Sequence, residues 1–161
     1  MSGPTKGEPE WRKLEHRVAE LYRAFEFDAE VDVLLSGKQW DVVATRRFPG
    51  AGSLRICIEV KDHPGRPMPI EEVRSFFNDA VVALQGQDCD KAMLVTTGRI
   101  TKNSRDVVKS HRAMEVATFA ELERQLFDVA QPLHRWLNAY RSGPLSLDTP
   151  TRLGRRGRPV R

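Results

Sequence analysis

Two short segments of the 161-residue chain carry residues suited to the chemistry of phosphate esters. The segment "SLRICIEVK" ends in Glu59 and Lys61 with one valine between them, and "QWDVVA" holds Asp41 in an otherwise apolar run. Carboxylate oxygens are the ligands that Mg²⁺ and Mn²⁺ prefer. A neighbouring ammonium can orient a water and offset negative charge on a phosphate. Together these residue types indicate metal-assisted hydrolysis.

Strand geometry determines whether these side chains can meet. Successive side chains point to opposite faces, so "SLRICIEVK" has one apolar face and one that ends in Glu59 and Lys61. On the preceding strand, Asp41 is expected to lie on the face opposite to Trp40 and Val42. If the two strands are neighbours, Asp41 and Glu59 converge on one point, which predicts a divalent-cation site with Lys61 at its edge.

The elements that must position these residues follow in a readable order. Apolar residues at helical spacing predict a first helix at 10–26, and two extended runs predict a hairpin with the four-residue connection "SGKQ". Strand and helix signals then alternate at 53–60, 70–84, 91–97, 101–111 and 114–118. "TFAE" at 118–121 is a capping box that opens a further helix, and Pro132 precedes a last amphipathic one. The order α-β-β-β-α-β-α-β-α-α predicts an α/β protein, with a mixed sheet flanked by helices.

Length and composition predict one folded domain, at 10–140, after a disordered segment at 1–9. A chain of 161 residues with 40% hydrophobic content can bury one core. The longest aliphatic run, "AVVAL", is too short to cross a bilayer, and the N-terminal segment lacks the apolar stretch of a secretory signal. We therefore expect a cytoplasmic protein without a membrane partner. Cys57 and Cys89 are expected to be reduced thiols.

Residues 141–161 form a basic tail. They hold six arginines against Asp148, whereas residues 1–140 carry 20 Lys and Arg against 21 Asp and Glu. Few apolar residues are present, so the tail is expected to be flexible. The sequence "RGRP" resembles the core of an AT-hook, which places Arg156 and Arg158, with the neighbouring Arg155, in the minor groove of DNA. A merely solubilising arm, or one that attracts DNA without specificity, is the alternative.

Asp41, followed by Glu59 and Lys61 after a strand-length gap, resembles the PD-(D/E)xK nuclease superfamily, and more narrowly the Mrr-type (type IV) restriction endonuclease domain. The resemblance covers roughly residues 11–127. It includes "LEHRVAELYRAFEFDAEVD", which is similar to that family's first helix, and "KAMLVTTGRITKNSRDVV", which is similar to its fourth strand with a Thr-Thr-Gly turn. "MEVATFAEL" is similar to its last strand and the helix that follows. The implied fold is restriction-endonuclease-like.

The resemblance implies hydrolysis of DNA phosphodiester bonds with Mg²⁺ or Mn²⁺. Carried over to this sequence, Asp41 and Glu59 would hold the metal, and the backbone carbonyl of Val60 would be a further ligand. Lys61 would position the nucleophilic water, and Glu15 would support the site from the first helix.

Each of these residues also has a structural explanation. Glu59 and Lys61 are also explained as an exposed ion pair at a strand end, and Asp41 as a hairpin residue that binds backbone. Glu15 lies beside the apolar stripe of its helix, where a solvated face is the alternative. His63 follows Lys61 closely and invites a general-base role, but a solvated loop histidine is the simpler interpretation.

Two classes of function fit the sequence. The first is a metal-dependent endonuclease that acts in restriction of foreign DNA or in a related defence or repair task. The second is a non-catalytic DNA-binding or sensing domain of the same fold that works with a partner effector. A homodimer through the last amphipathic helix would let a short nuclease cut both strands, and a separate protein would supply recognition.

Overall fold

The computed structural model describes residue 7 and residues 9–128. Within them, no helix is long and apolar enough to span a bilayer. Most of the predicted N-terminal segment, the predicted last amphipathic helix and the basic tail with Arg155, Arg156 and Arg158 lie outside the described residues. The chain divides into two units, Met1–Leu126 and Phe127–Arg161. The whole sheet belongs to the first unit.

Five strands form one mixed sheet in the order β1-β2-β3-β4-β5. The first three strands are antiparallel neighbours, while β3, β4 and β5 run parallel. In chain order the elements are α1 (Glu10–Ala24), β1 (Asp28–Leu35), β2 (Lys38–Phe48), β3 (Gly52–Lys61), α2 (Ile70–Gln85), β4 (Lys91–Thr96), α3 (Lys102–Lys109) and β5 (Met114–Thr118). A further helix, α4, begins at residue 119 and is described to residue 128. The predicted order and mixed sheet are confirmed over these residues.

Two apolar clusters cover the two faces of the sheet. The first lies between the sheet, α1 and α4, and the second lies between the sheet, α2 and α3. Alternation along β3 is as predicted, since Ile56 and Ile58 belong to the first cluster and Cys57 to the second. Each large aliphatic side chain that is fully buried contributes about 1.5–3 kcal/mol, so β3, apolar on both faces, anchors the sheet. Cys57 and Cys89 are buried free thiols.

Local capping fixes where two of the helices begin. The Thr101 hydroxyl accepts a hydrogen bond from the Ser104 amide and starts α3. At the start of α4, the Glu121 amide donates to the Thr118 hydroxyl, and the Glu121 carboxylate accepts from the Thr118 amide. This is the capping box that "TFAE" predicts.

The alternation of β2 breaks at Asp41. Trp40 and Val43 pack in the second cluster while Val42 packs in the first, so the predicted common face of Trp40 and Val42 is wrong. The β1–β2 pairing skips Asp32 and Asp41, and Asp32 has a left-handed φ of 56°. Both strands therefore rotate at this point, so that side chains before and after it face opposite layers of the protein. This turnover of the strands places Trp40 fully inside the core, edge-on to the Phe76 ring.

The β1–β2 connection is a two-residue turn rather than the predicted four-residue one. Leu35 pairs with Lys38, which leaves only Ser36 and Gly37 in the turn. Both have positive φ, 55° and 72°, as the common two-residue hairpin turn with its right-handed twist requires. The Ser36 hydroxyl donates to Asp88 after α2, so the turn is fastened to the helix side of the sheet.

Candidate active site

A cleft opens where β2 and β3 separate. The β2–β3 ladder ends at Val42 opposite Ile58, and the last residues of β3 pair with β4 on the other side. The cleft has a volume of about 320 Å³, and its lining includes Trp11, Glu15, Asp41, Lys61, His63 and Glu72. Three of the four side chains predicted to act in catalysis therefore meet in one cleft, and the fourth, Glu59, lies beside it.

Asp41 closes the end of the β2–β3 ladder. Its Oδ2 accepts a hydrogen bond of 2.6 Å from the Val60 amide. Burial raises the pKa of Asp41, the Val60 hydrogen bond opposes that rise, and the nearby Glu59 charge adds to it. Asp41 is thus held by β3 while it faces a second acidic group. Its bond to backbone was the structural alternative for this residue, and here that bond fixes the carboxylate at the cleft.

Glu59 lies between two lysines. It is only 8% exposed, so it is not part of a solvated surface ion pair. Lys61 Nζ lies 2.8 Å from Oε1, and Lys38 Nζ lies 2.8 Å from Oε2. Although burial opposes the charged form of Lys61, its interaction with Glu59 outweighs this effect and raises its pKa. Both carboxylate oxygens are therefore compensated by a nearby cation.

Lys38 and Asp79 are residues of this site that the sequence did not predict. Lys38 Nζ donates a hydrogen bond of 2.7 Å to Asp79 Oδ2 on α2. Burial opposes the charged form of Lys38, but its interactions with Asp79 and Glu59 outweigh that effect and raise the pKa of Lys38. In the sequence, the only sign of a special role was that Asp79, a charged residue, stands next to Ala80 of the apolar stripe of α2.

Glu15 is buried on the cleft side of α1, with 5% exposure, so the alternative of a solvated helix face is wrong. Burial raises its pKa to about 7, with further contributions from the charges of Asp41 and Asp32, against an opposing one from Arg12. A carboxylic acid with such a pKa exchanges protons near neutral pH.

We expect Glu15→Gln to stabilise the protein at pH 8 but not at pH 4. Since the folded pKa of about 7 lies above the ordinary 4.5, the folded state binds the extra proton, and its stability falls as pH rises between these values. Glutamine removes that loss, which predicts a gain of about 1–3 kcal/mol at pH 8. Urea denaturation without divalent cations measures it. Glu20→Gln on the outer side of α1 is the control, and an equal gain at both pH values would contradict the raised pKa.

His63 is not the solvated loop residue that its position suggested. Its side chain is 12% exposed, and Nε2 lies 2.9 Å from Glu72 Oε2. The His63 amide donates to the Thr97 hydroxyl, which in turn donates to Asp62. The loop after β3 is therefore bound to the turn after β4, and this places an imidazole in the cleft wall.

Gly98 allows these two loops to approach each other. A Cβ at this position would lie 2.7 Å from the Arg66 carbonyl oxygen and 2.8 Å from the His63 Cβ. The Arg99 amide donates to the Arg66 carbonyl, and the Met68 amide donates to the Arg99 carbonyl. These contacts account for the glycine of the Thr-Thr-Gly turn and bring the backbones of Arg66 and Arg99 together beyond the ends of β3 and β4.

The oxygen atoms near the cleft fit a divalent cation. Glu59 Oε2 is buried with the Lys38 ammonium 2.8 Å away, and no other described group donates to it. Asp41 supplies a second carboxylate, and among the described residues only its Oδ2 accepts a hydrogen bond, from the Val60 amide. Mg²⁺ is commonly held by one or two carboxylates together with waters. No group of three Asp, Glu, His or Cys side chains in the described part of the chain is arranged to hold a metal.

A family model described as "Restriction endonuclease" (Mrr_cat) matches residues 8–126. This range contains the whole sheet and every described residue of the cleft. No curated protein matches the chain.

Three solved structures share the fold. A protein of unknown function, AF1548, has a TM-score of 0.56 at 17% identity, over 68% of this chain and 59% of that one. A repair endonuclease from Pyrococcus abyssi has a TM-score of 0.50 at 13% identity, over 73% and 49%. The DNA modification-dependent restriction endonuclease AspBHI has a TM-score of 0.50 at 15% identity, over 81% and 35%. The chain thus spans less than two thirds of each of these proteins.

Proposed function

Because the chain belongs to the Mrr_cat family of restriction endonucleases, we propose that it hydrolyses phosphodiester bonds of DNA with Mg²⁺ or Mn²⁺. The observation that carries this proposal is the meeting of Glu15, Asp41 and Lys61 in one cleft, with Glu59 in contact with Lys61. Asp41 on β2, with Glu59 and Lys61 at the end of β3, supports this assignment of the family motif.

The proposed roles follow from the contacts. Asp41 and Glu59, with the Val60 carbonyl, would hold the cation, which supplies Lewis acidity toward a phosphate oxygen when bound. Lys61 is partly exposed at the cleft and carries a raised pKa, so it stays charged and can orient a water and stabilise negative charge. Glu15, with a pKa of about 7, can accept a proton from a water in the cleft.

The biological role that we propose is cleavage of foreign or damaged DNA in the cytoplasm. Among the structural neighbours, one is a modification-dependent restriction endonuclease and one is a repair endonuclease. Since the chain spans 35% of the first and 49% of the second, recognition of the DNA is proposed to depend on the basic tail, on a second copy or on a partner protein.

A non-catalytic DNA-binding domain is the second candidate. The observation in its favour is that lysines occupy both oxygens of Glu59, while no three-ligand group exists among the described residues. In such a protein the charged residues would only complete the fold.

Plasmid cleavage distinguishes the two candidates. Supercoiled and linear DNA, with and without base modification, are incubated with the protein and Mg²⁺, Mn²⁺ or a chelator. A nuclease produces nicked or linear products that disappear with the chelator. Binding without cleavage of any substrate would support the DNA-binding domain.

Arg66 and Arg99 are proposed to hold DNA beside the cleft. Arg66 lies in the loop after β3 and Arg99 in the loop after β4, and backbone hydrogen bonds link these two segments, the joined loops. Both arginines are exposed, and no described residue pairs with their side chains. Replacing both by alanine should weaken DNA binding. It should also make the slope of log affinity against log salt concentration shallower, by the amount expected for the loss of about two phosphate contacts. Fluorescence anisotropy over a range of salt concentrations measures this.

The matched control replaces Lys109 and Arg112, two exposed cations at the other end of α3. If both double variants lose the same affinity and slope, the effect comes from general charge, and the assignment to the joined loops is wrong.

A further inference from the structure

Lys38 connects three elements at the edge of the proposed site. It is the first residue of β2, and its ammonium reaches Glu59 on β3 and Asp79 on α2 at 2.8 and 2.7 Å. The Trp40 ring lies beneath it, with Nζ 5.0 Å from the ring centroid. The side chain is 21% exposed, so the charge is largely enclosed by these groups.

The backbone directs Lys38 to this point. The two-residue turn ends at Lys38, and Ser36 ties that turn to Asp88 after α2. The turnover of β2 at Asp41 puts Trp40 on the α2 side, where its ring lies near the Lys38 ammonium. A long flexible side chain is therefore held in place at both ends.

The two oxygens of Glu59 are not equivalent. Lys61, which lines the cleft, lies 2.8 Å from Oε1, whereas the buried Oε2 lies 2.8 Å from Lys38 Nζ and accepts no bond from any other described residue. A buried carboxylate without a cation is costly, and removing one partner of a buried pair leaves an uncompensated charge. Lys38 supplies a cation at Oε2, as Lys61 does at Oε1.

We propose that Lys38 is a positioning residue that competes with the divalent cation for Glu59, and that Asp79 receives its ammonium when the cation binds. This inference rests on the proposed function, because it concerns the same site. It accounts for the Lys38 ammonium lying at Oε2 of Glu59. It also assigns a role to Asp79, which would remain paired with the Lys38 ammonium after the cation displaces that ammonium from Glu59.

The test compares Mn²⁺ affinity across variants of the full chain by calorimetry at fixed pH and ionic strength. We expect Lys38→Gln to bind Mn²⁺ about tenfold more tightly, because a competing positive charge is lost. Asp79→Asn should bind it several-fold more weakly, because Lys38 then remains on Glu59. Lys38→Arg keeps the charge and should stay close to the wild type.

The opposite signs are the decisive feature. Loss of a structural contact would weaken Mn²⁺ binding in both Lys38→Gln and Asp79→Asn, and that result would overturn the proposal. Lys91→Gln, which breaks a comparable pair with Glu115 on β5, serves as the control and should leave the affinity unchanged. If Lys38→Gln is less stable, its melting temperature should rise more with Mn²⁺ than that of the wild type.

Failure of this inference can be separated from failure of the proposed function. An unchanged affinity in Lys38→Gln, with clear Mn²⁺ binding by the wild type, removes only the role of Lys38. Competition as predicted, but without cleavage of any DNA, removes the nuclease proposal and leaves the role of Lys38 intact. An absence of Mn²⁺ binding in every variant removes both.

Discussion

Lys61→Met is expected to cleave DNA at least a hundredfold more slowly than the wild type and to bind DNA with nearly the same affinity. The ammonium lies at the cleft, 2.8 Å from Glu59 Oε1, where methionine offers similar bulk without charge. Removing one preorganised group that stabilises charge in a transition state commonly costs about 10²–10³ in rate. Because other cations would contact the DNA backbone, most of the binding should remain.

The matched control for this substitution is Lys91→Met. Lys91 is also a strand lysine paired with a glutamate at 2.8 Å, and its exposure of 37% is close to the 35% of Lys61. It begins β4, whereas Lys61 ends β3 at the opposite end of the parallel ladder. We expect wild-type cleavage from Lys91→Met. Equal rates for Lys61→Met and the wild type would exclude Lys61 from the reaction.

Gly98→Ala is expected to lower the free energy of unfolding by about 2–3 kcal/mol and to impair cleavage as well. The backbone of Gly98 is not in the left-handed region, so the problem is space: the new methyl would lie 2.7 Å from a carbonyl oxygen of the opposite loop. That loop carries His63 and precedes α2, so relief of the clash must shift the cleft wall. Urea denaturation and the plasmid assay measure the two effects.

Gly86→Ala provides the comparison. A Cβ there would lie 3.1 Å from the Asp88 side chain and 3.2 Å from the Val82 carbonyl, which are milder contacts at the end of α2. The loss should stay below about 1 kcal/mol, and cleavage should be unaffected. Similar losses in the two variants would mean that the joined loops tolerate the methyl group.

Much of the fold could be predicted because its signals are local. The alternation in β3 identifies which side chains face each layer, and the capping box at Thr118 marks the start of a helix four residues before Leu122 enters the core. Glu59 and Lys61 also follow from the alternation of β3, whereas Asp41 was identified as a carboxylate within an apolar run on the preceding strand. For Asp41 to meet Glu59, only the pairing of the consecutive strands β2 and β3 was required, and a short hairpin connection enforces that pairing.

The remaining site residues could not be predicted, because they depend on contacts between distant segments. Lys38 reaches Asp79 across 41 residues of sequence. Its direction also depends on the turnover at Asp32 and Asp41, and the regular alternation assumed for β2 conceals that turnover. An aspartate with positive φ leaves little trace in a pattern of apolar residues.

His63 shows the same limitation from another side. Proline and glycine near it indicate a loop, and loops are usually solvated. Its burial comes from Thr97, which is 34 residues away and binds its amide, and from the missing Cβ of Gly98. Neither contact has a periodic signature along the chain.

The meander of β1, β2 and β3 also has a consequence for how the protein folds. Contacts between these strands close short loops, whereas β3 and β4 are separated along the chain by α2 and its connections. Short loops close at lower entropic cost, so we expect the three antiparallel strands to associate early and the parallel half to join later. Asp41 would then be next to β3 before Asp79 and Thr97 arrive. Asp41 and Glu59 would thus come together early in folding, and the contacts with α2 and β4 that hold the site would form later.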